Sequence, residues 1–209
     1  MMFADLMEEY RAELLHLGVD SRCLMQLAQF LDRLWQENRQ INLFSRKMDA
    51  PTLVVDHLID SLLGLPHVPD VTCIADLGTG GGFPAVPLAI CRAKTRFHLY
   101  EKSVLKRRYL MGLTDLVPNL KLHAKVEDSG LDHAVELVVS RAFKPIGETL
   151  LMTRSYLQNG GSYLLFKARR ARIDEELANA QPLLRGAKVK VVPLDSHLNG
   201  AERHLVCIN

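Results

Sequence analysis

Apolar positions recur at helical spacing through the first part of the chain. Leu6, Tyr10, Leu14 and Leu17 fall on one face of a segment over 3–17. Leu24, Leu27, Leu31, Leu34 and Trp35 do the same over 21–38. Gly18 is placed to end the first helix, and Asp20 or Ser21 to cap the second. Residues 42–45, Asn-Leu-Phe-Ser, follow neither period. Asp49-Ala-Pro51-Thr52 reads as the start of a further helix that runs to about Leu63, with Pro66 and Pro69 closing it. At residue 71 the pattern changes. Strand-like runs over 71–76, 96–101, 119–124, 135–140, 161–167, 187–193 and 203–208 alternate with helix-like runs over 84–92, 103–117, 147–158 and 170–184. Alternation of this kind predicts an α/β fold, a parallel sheet with helices on both faces. The connection 194–202 has no helical pattern and carries Asp195, Ser196, Asn199 and Gly200. The last two strands are therefore expected to pair as an antiparallel hairpin. Residues 1–70 read as an N-terminal helical layer packed on a main domain over 71–209.

Composition narrows the class. The 209 residues are 48% hydrophobic, mean hydropathy is near zero, and the longest apolar run, Phe83 to Cys91, is too short to span a bilayer. The first residues are acidic where a signal peptide is basic. A cytoplasmic protein with no membrane partner is expected. Cys23, Cys73, Cys91 and Cys207 form no C-x-x-C pair, and the eight histidines show no metal-ligand spacing. Reduced, buried thiols and no metal are the expectation. The net charge of +2 is unevenly placed: residues 1–70 hold 6 Lys and Arg against 11 Asp and Glu, and residues 71–209 hold 20 against 13. A basic second part suits a polyanionic substrate, or is simply a solvated surface.

Candidate chemistry starts at Asp76-Leu-Gly-Thr-Gly-Gly-Gly-Phe83, directly after the first strand-like run. Glycine is favoured where backbone turns sharply or lies against a ligand, and Pro84 suits the first turn of the helix that follows. Strand, glycine turn, helix is where an adenosine-containing cofactor rests on an α/β sheet. Gly80, Gly82 and Ala85 fit the dinucleotide spacing G-x-G-x-x-A; Asp76, Gly78, Gly80 and Gly82 fit the frame of methyltransferases. In that frame the strand-end acid Asp76 helps hold the methionine end of the cofactor. Glu101 follows the second strand, 23 residues after Gly78, where a carboxylate can accept hydrogen bonds from ribose hydroxyls of either cofactor. A dehydrogenase needs a nicotinamide and substrate site, usually with a Tyr/Lys or His pair in place, and no Tyr-x-x-x-Lys pair is expected. Seven strands ending in an antiparallel hairpin are the arrangement of Rossmann-like class I methyltransferases that use S-adenosyl-L-methionine, which favours that cofactor. The alternatives are an NAD-linked reductase and a non-catalytic RNA-binding ribosome assembly factor.

From about Trp35 onward the chain resembles the bacterial RsmG (GidB) family. The residues that carry the resemblance are Trp35 with Asn42-Leu43, His57-Leu-Ile-Asp60-Ser61, the extended glycine motif from Asp76 to Pro87, Ser140-Arg141-Ala142-Phe143, Leu165-Phe166-Lys167 and Glu202-Arg203-His204-Leu205-Val206. Phe44 stands where the family usually has Thr, Ala168 where it has Gly, and Glu101-Lys102-Ser103 where many members have Asp-Ser. The resemblance implies S-adenosyl-L-methionine-dependent methylation of guanine N7 in small-subunit rRNA, of the 16S rRNA (guanine(527)-N7)-methyltransferase type. The implied partner is 16S rRNA, in the small subunit or an assembly intermediate, and the enzyme is expected to be a monomer. It also implies that Gly78 and Phe83 contact the cofactor, that Val126 and Glu127 border its adenine, and that Arg141 reaches the cofactor or the target base.

Guanine N7 already carries an in-plane lone pair, so its methylation needs no obligatory general base; alignment can supply most of the acceleration. The position after the fourth strand reads Ser140-Arg141-Ala142-Phe143, without the paired prolines common among exocyclic-amine methyltransferases and without a cysteine nucleophile. Arg141 is a candidate for orienting base, cofactor carboxylate or phosphate. Phe143 is a candidate base-stacking ring or a core side chain. Lys102, Lys106, Arg107 and Arg108, and Lys167, Arg169, Arg170 and Arg172, are candidate RNA contacts or solvated helix faces. His57 and Asp60, one helical turn apart, are expected to brace the glycine turn or the helical layer.

Overall fold

A computed structural model of the chain describes residues 2–126, 130–195, 197–198 and 200–209. The N-terminal layer contains α1 (Met2–Glu9), α2 (Arg11–His16), α3 (Leu24–Glu37), α4 (Ala50–Leu53) and α5 (Asp60–Leu62). The main unit then runs β1 (Cys73–Leu77), α6 (Ala85–Cys91), β2 (Arg96–Tyr100), α7 (Val104–Met111), β3 (Leu120–His123), β4 (Leu137–Arg141), α8 (Ile146–Met152), α9 (Arg154–Gln158), β5 (Ser162–Lys167), α10 (Arg170–Ala180), β6 (Val189–Leu194) and β7 (Arg203–Ile208). One seven-stranded sheet has the order β3-β2-β1-β4-β5-β7-β6. The pairs among β1 to β5 are parallel, and β7 runs antiparallel to both β5 and β6. The expected hairpin is present, with β7 filed between β5 and β6.

Strands β1 and β4 are buried along nearly their whole length because both faces of the sheet are covered, and each is apolar up to the polar residues near its carboxyl end. Alternate side chains divide into two cores. Ile74, Phe97, Leu99, Val139, Leu164, Phe166 and Leu205 join the N-terminal helices and α6 on one side. Cys73, Ala75, Leu77, Val138, Tyr163, Leu165 and Val206 face α8 and α10 on the other. The N-terminal layer thus shares its core with one face of the sheet. Leu27, Leu31 and Leu34 of α3 are fully buried there, each contributing about 1.5–3 kcal/mol.

Local chemistry explains several boundaries. Asp20 accepts a hydrogen bond from the Arg22 amide, and Asp49 from the Thr52 amide, as N-caps do. The run over 147–158 is split at Thr153, whose hydroxyl donates to the Thr149 carbonyl and meets the Tyr163 hydroxyl. Helix α10 stops at Ala180; Gln181 keeps helical backbone, but Pro182 has no amide hydrogen with which to carry the hydrogen-bond ladder further. Between α4 and α5 the helix widens into a π turn over Val54–Ile59, a feature frequent at functional sites. All four cysteines are free, but only Cys73 is buried; the others are partly exposed. Among the described residues no helix is long and apolar enough to cross a membrane.

Candidate active site

The sheet order reverses between β1 and β4, and ligands of open α/β sheets bind beyond the carboxyl ends of the strands at such a point. Asp76 lies near the end of β1. The turn after it is stitched to β2: the Gly78 and Thr79 amides donate to the Tyr100 carbonyl at 2.9 and 3.3 Å. Glu101 closes the turn, its carboxylate accepting from the Gly80 amide at 3.0 Å and the Ser103 amide at 2.8 Å. Gly78 has φ +72°, and a Cβ there would lie 2.3 Å from the Phe143 ring. Only glycine accommodates both conditions. From the opposite side, Leu34 and Leu43 of the N-terminal layer pack on Gly81.

Asp76 is fully buried, and neither carboxyl oxygen has a hydrogen-bond partner; the Thr79 hydroxyl is likewise unpartnered. Burial pushes the Asp76 pKa up to about 7. The Thr79 hydroxyl and the Ala85 amide lie near enough to pull it down in part, yet neither completes a hydrogen bond with it. Buried polar groups are rarely left in this condition unless a ligand completes them. The orphaned acid and the Cβ-free backbone at Gly78 fit a small cofactor with its own hydrogen-bonding groups.

The end of β4 is built differently. Arg141 Nη1 donates to Asp60 Oδ2 at 2.7 Å and to the Asp56 carbonyl at 3.0 Å, and Nη2 donates to His57 Nδ1 at 2.7 Å. Its guanidinium also lies 5.3 Å from the centre of the Phe83 ring. Asp60 Oδ1 accepts from Arg203 of β7 at 2.5 Å. One buried carboxylate therefore joins two arginines from separate strands. Burial, reinforced by Arg141, lowers the His57 pKa to about 4, so its ring is neutral and accepts at Nδ1. Ala142 follows with φ +49°, the one non-glycine left-handed residue among those described. Beyond this strand end opens a cleft of about 570 Å³, lined by Met48, Arg141, Phe143, Phe166, Arg203 and His204 among others. Asp76, Gly78 and Glu101 do not line it. Phe143 does, while also touching Gly78, so that ring is the wall shared by crevice and cleft.

The other expected residues fall in distinct places. Phe83 is buried against Phe30 and His57, between the N-terminal layer and Arg141. Val126 is buried in the second core, and Glu127 lies outside the described residues. Gly82, at φ +100°, lets the turn approach Val86. Arg107 is committed to the Glu101 and Lys102 carbonyls, at 2.7 and 2.9 Å. Lys102, Lys106 and Arg108 have no ion pair among the described residues. Lys167 is held by Glu176 at 2.7 Å and the Lys144 carbonyl at 2.9 Å. Arg170 pairs with Asp174 and Arg172 with Glu175, while Arg169 is exposed beside them. His57 and Asp60 brace Arg141 directly, and the glycine turn only through the Phe83 ring beside them. Two features escaped the sequence reading. Arg203 was visible only as part of the closing strand's motif. The spacing Tyr-x-x-x-Lys does occur, at Tyr163 and Lys167. Both lie in β5, however, with the Tyr163 hydroxyl buried on Thr153 and Lys167 bound to Glu176. They form no reductase pair. Among the described residues no group of three or more His, Cys, Asp or Glu is placed to hold a metal ion.

The chain is similar to ribosomal RNA small subunit methyltransferase G 1 of Bdellovibrio bacteriovorus, 42% identical over 202 residues that cover 96% of this chain and 98% of that protein. It is 33% identical to ribosomal RNA small subunit methyltransferase G of Aromatoleum aromaticum, with 99% of each chain covered. Among solved structures, the fold resembles Aeropyrum pernix fibrillarin in complex with natively bound S-adenosyl-L-methionine. The TM-score is 0.54 at 16% identity, over 73% of this chain and 74% of that one, a likeness of fold alone: the Rossmann-like methyltransferase fold. The family model of GidB, rRNA small subunit methyltransferase G, matches residues 23–206. With that match and near-full-length relatives, the chain belongs to the GidB family of S-adenosyl-L-methionine-dependent rRNA small subunit methyltransferases.

Proposed function

We propose that this methyltransferase modifies N7 of one guanine in 16S rRNA, within the small subunit or an assembly intermediate. One observation carries the choice of atom. Of the five acids and imidazoles lining the cleft, four have side chains engaged by named partners: Asp60 by Arg141 and Arg203, Glu176 by Lys167, His57 by Arg141, and His204 by the Ala168 carbonyl. Each of these four is committed to a structural partner rather than poised to take a proton. That suits a nucleophile with an in-plane lone pair and no proton to lose, which is the character of guanine N7.

When bound, S-adenosyl-L-methionine supplies a methyl group activated by its sulfonium. Asp76, Gly78, Gly80, Gly82 and Glu101 are the residues that would hold it, with Phe83 and Val126 nearby. Arg141 is fixed by His57 and Asp60, so it presents its guanidinium in one orientation without reorganising, which favours alignment over proton transfer. Phe143 stands at the shared wall and offers a face on which a base can stack.

The test is methylation of small subunits purified from a strain lacking this gene, followed by mass mapping of the rRNA. One new 7-methylguanosine is expected; methyl on another atom, or none, overturns the reading. Calorimetry distinguishes the rivals: an NAD-linked reductase binds NAD in place of S-adenosyl-L-methionine, and an assembly factor binds RNA with no cofactor.

A further inference from the structure

The N-terminal layer is acidic, yet its cations are not spread evenly. Of its six Lys and Arg side chains, Arg11 pairs with Glu8, Arg22 with Asp20 and Arg33 with Asp115. The other three, Arg39, Arg46 and Lys47, are exposed and make no side-chain hydrogen bond or ion pair among the described residues. All three sit in one short segment after α3. An unneutralised cluster inside an acidic layer calls for an anionic partner.

The segment has a defined shape. Asn38 Oδ1 accepts from the Leu43 and Phe44 amides at 2.8 and 3.0 Å, which holds the irregular loop against the end of α3. Trp35 lies partly exposed with its ring 5.6 Å from Phe44 and 5.8 Å from Phe3. Trp35, Asn38, Arg39, Phe44, Arg46 and Met48 line a groove of about 420 Å³. Met48 also lines the cleft beside Arg141. Met48 is therefore a wall common to groove and cleft.

We propose that this groove binds single-stranded RNA flanking the target guanine. Arg39, Arg46 and Lys47 contact phosphates, and the Trp35 indole offers a stacking face for a neighbouring base. Aromatic faces and unpaired cations along one groove are the combination that holds single-stranded RNA without reading its sequence. The proposal rests on the rRNA-methylation reading above. It gives the N-terminal layer a substrate-binding role beside its structural one.

Trp35 is the chain's only tryptophan, so its fluorescence reports on the groove directly. Titrating the full protein with a short guanosine-containing RNA oligonucleotide should quench that emission. Replacing the three exposed cations together (Arg39→Ala, Arg46→Ala and Lys47→Ala) should flatten the salt dependence of binding. At about 0.7 per phosphate contact on a single strand, the slope of log affinity against log salt should fall by about 2. The KM for small subunits should rise on the order of tenfold, with affinity for S-adenosyl-L-methionine unchanged.

Unquenched Trp35 emission at saturating RNA overturns the proposal, and so does an unchanged salt slope in the triple variant. Loss of methylation on particles with unchanged oligonucleotide affinity also overturns it, and points to a ribosomal protein in the groove. If the wild-type protein leaves small subunits unmethylated, the rRNA-methylation reading fails instead, whatever the fluorescence shows.

Discussion

The carboxyl ends of β1 and β4 are neighbours in the sheet, yet one is built from backbone and the other from side chains. After β1 the chain turns on glycines whose amides bond to Tyr100 and Glu101, and the acid beside them, Asp76, is buried with both oxygens unpartnered. After β4 a long side chain, Arg141, is held by a carboxylate, an imidazole and a carbonyl. The first end is incomplete and ready for a ligand. The second is already held in place by three partners, with only the Arg141 Nε left buried and unpartnered, which is what positioning requires. The difference separates a place that binds from a place that aligns.

The largest test of this contrast is Asp76→Asn. The native carboxyl titrates near 7 against an ordinary 3.8, so the folded state binds more protons than the unfolded state between those values. Stability is therefore lost as pH rises through that window, by about 4 kcal/mol at 1.4 kcal/mol per unit. Urea unfolding of the cofactor-free protein should show the Asn variant more stable by about that amount at pH 8, with nearly no difference at pH 4, and weaker in cofactor binding. Equal stabilities at pH 8 would show that Asp76 already has a partner.

Gly78→Ala comes next. The left-handed backbone and the contact with Phe143 should together weaken cofactor binding about a hundredfold, or about 3 kcal/mol. Calorimetry on the double variant with Phe143→Ala separates the two causes: recovery of affinity assigns the loss to the ring, and no recovery assigns it to the backbone. Arg141→Met should destabilise the protein by about 2 kcal/mol, less than a fully broken buried pair, because Asp60 keeps Arg203. Thermal melting should fall by roughly 4–8 °C, and methylation should fall much further than cofactor affinity. Loss of cofactor affinity alone would move Arg141 to the binding side of the comparison. The smallest effect is Ala142→Gly. Glycine relieves the φ of +49°, so melting should rise by the equivalent of about 1 kcal/mol, with activity falling if that turn aims Phe143.

The same contrast explains what could be read from the chain alone. Sheet, hairpin and glycine turn announce themselves through local signals: alternation, a missing helical pattern between β6 and β7, and consecutive glycines after an acid. The finished end of β4 does not. Asp60 and Arg203 are 143 residues apart, and the π turn that carries His57 leaves no mark in apolar periodicity. Lys167 looks like a free cation until α10 brings Glu176 beside it, and Arg107 looks like one until it folds back on the carbonyls of Glu101 and Lys102. Arg39, Arg46 and Lys47 stand out only once the partners of Arg11, Arg22 and Arg33 are known.

The placing of β7 between β5 and β6 has a consequence for the order in which the molecule is made. A ribosome releases β5 and β6 before β7, but β6 has no hydrogen-bonding neighbour until β7 slots in. The nascent sheet therefore waits with an open flank, and long-range pairing of this kind closes slowly. Arg203 arrives on that same late strand. The cleft thus gains its second arginine only after the rest of the sheet has been synthesised, so a half-made chain lacks part of the machinery with which its finished form would act on ribosomal RNA.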